Sequence, residues 1–143
     1  MCIRDSLRTA TDEGDRGVTG ITYSTLGMIF LSQCDYKKAI EYSNLALDIF
    51  KELGDKGQEG HVCQCLGDVF QQLCNFEKAM EYQNLALSIA IDLGDKPLEG
   101  FAYYGLGNAF RGLCRYQKAI AYYKSCLSAV SYTHLTLPTS DLV

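Results

Sequence analysis

The chain has 143 residues, 48% apolar and 21% charged, with a formal net charge of −4 and a pI near 5.1. That is one domain's length at ordinary soluble composition. The acidic balance speaks against a nucleic-acid surface, which needs a basic stripe, and no apolar run reaches the roughly 18 residues of a membrane span.

From Gly14 onward the chain repeats itself. "GDRGVTG" begins at Gly14, "GDKGQEG" at Gly54 and "GDKPLEG" at Gly94, so blocks 14–53, 54–93 and 94–129 run in step with a period of forty. Leu7 falls forty before Leu47, so residues 7–13 read as the end of a preceding repeat. Within each block the spacing is helical. In the second, Leu66, Val69, Phe70 and Leu73 form an i, i+3, i+4, i+7 stripe, and Phe76, Ala79, Met80, Tyr82, Leu85 and Ala86 form another. Each block therefore holds two amphipathic helices, A and B. Asp35 and Asn75 suit the N-cap of helix B, where a short polar side chain accepts from a free backbone N–H. Gly54 and Gly94 suit the left-handed position that ends helix B, Asp55 and Asp95 the next N-cap, and Pro97 the first helical turn. One such pair cannot bury its apolar face alone, so neighbours must stack into a solenoid with a continuous core.

The recurring residues resemble the tetratricopeptide repeat. Leu26-Gly27, Leu66-Gly67 and Leu106-Gly107 stand at its Leu-Gly, Phe30, Phe70 and Phe110 at its next aromatic, and Tyr23, Cys63 and Tyr103 where it usually has Trp. Ala39, Ala79 and Ala119 match the first Ala of helix B, and Ala46, Ala86 and Cys126 the second. The resemblance implies an all-α, right-handed superhelical solenoid of antiparallel helix pairs. Gly and Ala would let the two backbones of a pair approach while Leu and Phe fill the space around them. The usual repeat of about thirty-four residues ends in Pro; here Lys51 and Ile91 stand at that point, and helix B is expected to continue to Leu53 and Leu93. A forty-residue repeat with a "GD" head looks like the Pins/LGN type of G-protein-signalling modulator and like long invertebrate arrays.

The chemistry of catalysis is absent from the pattern. There is one histidine, His61, within the repeats, with no nucleophile or carboxylate fixed beside it by local spacing. The glycines form no phosphate loop. Cys34, Cys74 and Cys114 recur one per repeat, so they lie at least a helix-packing distance of about 8–10 Å apart, too far to share a zinc ion that holds each sulfur at about 2.3 Å. Cys63 and Cys65 are two apart on a helix and face different ways. These cysteines read as small apolar residues in a reducing cytosol, and Lys37 and Lys38 as a solvated helix face. No cofactor, metal or small-molecule substrate is expected, and the chain is not expected to be an enzyme.

The family's concave face is lined mainly by helix A and suits a peptide or helix. Carrying its groove positions over gives Ile21, Ser24, Met28 and Leu31 in the first repeat, His61, Gln64, Asp68 and Gln71 in the second, and Phe101, Tyr104, Asn108 and Arg111 in the third. The residues of the second and third repeats are the expected partner-binding groove. The resemblance implies a cytoplasmic protein–protein interaction scaffold, a fragment of a longer array, with no nucleic-acid partner and no membrane insertion. The alternative is a regulatory or spacer array attached to a catalytic or signalling domain outside this fragment.

The two ends do not fit the repeat. "MCIRDS" (1–6), back-translated and reverse-complemented, encodes "VSYTH", the residues Val130–His134. Protein chemistry gives no reason for such a relation, and both 1–6 and 130–143 resemble translated sequencing adaptor. They are expected to be foreign to the repeats, which leaves His134 without functional meaning.

Overall fold

The computed structural model describes the backbone of residues 3–135 and the side chains of residues 12–131. Among these the secondary structure is helical: α1 (Ile3–Ser32), α2 (Tyr36–Leu53), α3 (Lys56–Gln72), α4 (Phe76–Leu93), α5 (Lys96–Gly112) and α6 (Tyr116–Leu135). The helices pack as antiparallel pairs, α1 with α2, α3 with α4 and α5 with α6, and each pair then stacks on the next.

The breaks are made by local chemistry. The side chains of Asp35, Asp55, Asn75 and Asp95 accept from the backbone N–H groups of Lys38, Gln58, Lys78 and Leu98 at 3.3, 3.2, 3.3 and 3.0 Å. Gly54 and Gly94 adopt φ of +69° and +67°, and the Gly54 and Asp55 N–H groups bond back to Lys51 and Phe50, closing the end of α2. The same turn ends each helix A, but there the left-handed residue is Cys34, Cys74 or Cys114, at φ of +61°, +60° and +59°. These three are exposed turn residues, so their place is set by backbone conformation rather than by apolar packing. Cys63, by contrast, is buried in the core.

One expected break is missing. Gly14 was the predicted start of the first helix A, but α1 runs as a single 30-residue helix through Gly14 and Gly17. An added Cβ at either glycine would meet nothing within 4 Å. Glu13 stands where the other two turns have Leu53 and Leu93, and Arg16, two residues past Gly14, pairs with Glu52 of α2 while the helix continues. At the other end α6 continues without interruption through residue 129 to Leu135. The segments 1–2 and 136–143, to which part of the adaptor reading applies, lie outside the described residues.

The core joins Ala46, Leu47 and Phe50 of α2 to Val62, Cys63, Leu66 and Phe70 of α3, Ala79 and Ala86 of α4 and Ala102 of α5. It therefore crosses the boundaries between pairs, as a stack requires. A second device recurs in every repeat. Phe30, Phe70 and Phe110 stack on Tyr42, Tyr82 and Tyr122 with centroids 5.4, 5.6 and 5.4 Å apart. Lys38, Lys78 and Lys118 set their ammonium groups 5.2, 5.2 and 5.4 Å from the Phe centroids. Lys38 is thus a packed cation over a ring, not only a solvated charge.

Alternate helices also touch: α3 meets α5 and α1 meets α3, with no comparably packed pair among the B helices. Closer approach on the A side curves the stack so that α1, α3 and α5 line its inner wall. No helix among the described residues is long and apolar enough to cross a membrane.

Candidate functional site

A trough of about 810 Å³ runs across α1, α3 and α5 and is open to solvent along one side. Gln64, Asp68 and Gln71 of α3 line it together with Phe101, Tyr104, Asn108 and Arg111 of α5, as does Leu31 of α1. Seven of the eight residues expected in the second and third repeats are therefore side by side. They meet because Gln64, Asp68 and Gln71 follow at four and three residues on one helix face, and Tyr104, Asn108 and Arg111 repeat that spacing on the neighbouring helix. His61 is exposed on α3 but is not part of this wall, and neither are Ile21, Ser24 and Met28.

The floor of the trough is polar and cross-linked. Gln64 Nε2 donates to Asp68 Oδ2 at 2.6 Å, and Gln83 Nε2, rising from α4, donates to Asp68 Oδ1 at 3.1 Å and to the Gln64 carbonyl at 3.4 Å. Gln71 Nε2 donates to the Asn108 carbonyl at 3.3 Å, and the Tyr123 hydroxyl donates to Asn108 Oδ1 at 2.6 Å. Burial outweighs the two amide donors at Asp68 and pushes its carboxyl up to about 6. Above this floor Phe101 and Tyr104 keep 58% and 53% of their surface exposed, so the aromatic wall is free for contact.

Gln83 and Tyr123 were not anticipated, nor were Cys34, Tyr36, Gln72 and Cys74 at the rim. Gln83 is only 1% exposed, an unusual place for a glutamine. The reason lies in two glycines: a Cβ on Gly67 or Gly105 would come within 2.5 or 2.3 Å of its side chain. Helix B backbone lies close to Gly27, but at the Leu-Gly motifs the space left by Gly27, Gly67 and Gly107 is filled chiefly by the side chains of Ser43, Gln83 and Tyr123, each sixteen residues further on. That repeated offset was the available signal. Among the described residues no three His, Cys, Asp or Glu side chains gather as a metal site.

Comparison with known proteins bears on the fold. Two family models, each described as tetratricopeptide repeat, match residues 22–56 and 62–130. The crystal structure of the TPR domain of Arabidopsis FLU superposes with a TM-score of 0.77 at 20% sequence identity, covering 82% of this chain and 98% of that one. No curated protein sequence matches.

Proposed function

The chain belongs to the tetratricopeptide-repeat proteins, and from that premise we propose that it is a non-catalytic scaffold that holds a peptide or helix of a partner protein in the trough between α1, α3 and α5. The observation that carries this reading is the wall itself. Exposed rings at Phe101 and Tyr104 supply apolar contact area, while Gln64, Asp68, Gln71, Asn108 and Arg111 supply donors and acceptors for a peptide backbone. An extended concave surface on a stack of helix pairs is suited to that task. The forty-residue period fits an array of the signalling-modulator type, and the free thiols among the described residues fit a reducing, cytoplasmic setting.

The test is a pull-down with the intact chain against one in which Tyr104, Asn108 and Arg111 are all changed to Ala. Loss of the retained proteins from the variant, with its helical content and melting temperature preserved, is the expected result. Retention of the same proteins at the same yield would remove the trough as the binding site.

A further inference from the structure

Asp68 occupies a singular position. The equivalent residues of the first and third repeats are Met28 and Asn108, so the second repeat alone puts a carboxylate on the trough floor. Each of its oxygens already accepts one amide N–H, from Gln64 and from Gln83, and these hold it in place without neutralising it. None of the ion pairs among the described residues involves it.

The groups around Asp68 come from every wall. Cys65 lies beside it on α3, Gln83 reaches it from α4, and the trough adds Cys34 and Tyr36 from the first repeat and Tyr104, Asn108 and Arg111 from α5. Arg111 is the one cation in that set, and it is not within ion-pair distance of Asp68. A half-buried carboxylate held by neutral donors, next to two exposed aromatic rings, lacks one thing that would offset its desolvation, a cation from outside. Aromatic rings favour the same charge, since the negative ring face attracts ammonium and guanidinium groups.

We propose that the partner segment presents a lysine or arginine side chain to Asp68, alongside Phe101 and Tyr104. This rests on the peptide-binding reading of the trough and specifies its occupant. The cation would bond the remaining lone pairs of Asp68 with charge-assisted hydrogen bonds, and Arg111 at the far side of the wall would set the direction of the segment by repelling a second basic residue.

The experiment selects random peptides of about twelve residues by display on the intact chain at about pH 7.5 and measures their affinities by fluorescence polarisation. The expected peptides lose binding to the Tyr104, Asn108 and Arg111 triple-alanine variant and share one basic residue at a fixed place. Replacing that residue with Gln weakens binding about tenfold or more, and Asp68→Asn weakens the basic peptide equally while no longer distinguishing it from its Gln version. Lowering the pH to about 5 also weakens the basic peptide about tenfold on the wild-type chain, as Asp68 takes up a proton, and leaves the Asp68→Asn variant unmoved. The Lys-to-Gln series and the pH series use the wild-type chain, so they hold even if the variant folds poorly. Trough-bound peptides with no shared basic residue, or a pH-independent affinity, would overturn the cation and leave the trough standing. Peptides insensitive to the triple variant would remove the trough reading and the cation with it.

Discussion

At the scale of single residues, the positions that matter most are those where residue type and environment disagree. Asp68 is half-buried with its carboxyl raised to about 6 against an ordinary 3.8. The folded chain therefore holds a proton more tightly than the unfolded chain between about pH 4 and 6. The group's contribution to stability is fullest below pH 4 and is lost as pH rises through 6. Denaturant melts of Asp68→Asn across about pH 4 to 7 are expected to lack that slope. Cys74 holds a left-handed turn that L side chains occupy at a cost of about 1 kcal/mol, so Cys74→Gly should stabilise the fold by about 0.5–1 kcal/mol in the same melts. Burial pushes Cys63 and Cys65 up to about 11, whereas Cys34, Cys74 and Cys114 are exposed. Peptide mapping by mass spectrometry after brief iodoacetamide treatment at neutral pH is therefore expected to show the turn cysteines alkylated and these two protected. None of this was visible from cysteine spacing, because backbone angle and burial, not sequence separation, decide what each thiol does.

At the scale of helices, capping and periodicity carried most of the information. Asp35, Asp55, Asn75 and Asp95 begin helices where their side chains could be foreseen to accept, and Gly54 and Gly94 end them. These are nearest-neighbour effects, written in consecutive residues. Gly14 fails for the complementary reason. Glu13 replaces the leucine that precedes the other two turns, and a helix already formed extends at one hydrogen bond per residue, so α1 continues through Gly14. Packing between helices was legible where the rule was size and illegible where a polar residue filled the space. Leu66, wholly buried, should cost about 2–5 kcal/mol on truncation to Ala. Gln83 is polar, yet it fills the gap between Gly67 and Gly105 and supports Asp68. Gly67→Leu would collide with it and is expected to separate α3 from α4, read as a loss of helical cooperativity in thermal melts.

Across the whole molecule, the stack makes equivalent positions unequal. Leu47 is 6% exposed beneath α3, while Leu127, eighty residues on at the same place in the repeat, is 65% exposed. Leu47→Ala is accordingly expected to cost about 2–5 kcal/mol and Leu127→Ala within about 0.5 kcal/mol. The trough belongs to this scale too, since α1, α3 and α5 contribute to it and no single pair could form it. The family resemblance carried groove positions over to Gln64, Asp68 and Gln71 on one helix and to Tyr104, Asn108 and Arg111 on another. What brought the two faces together is the closer approach of A helices along the stack, a consequence of packing that no local pattern states, and it left His61 outside. The central claim is that this inner wall takes a peptide, and amide chemical-shift mapping of the isotope-labelled chain with a bound partner peptide tests it most directly. Perturbations concentrated at Gln64–Gln71 and Phe101–Arg111 are the expected result; perturbations confined to the B helices, around Glu77, Glu81 and Lys124, would contradict it.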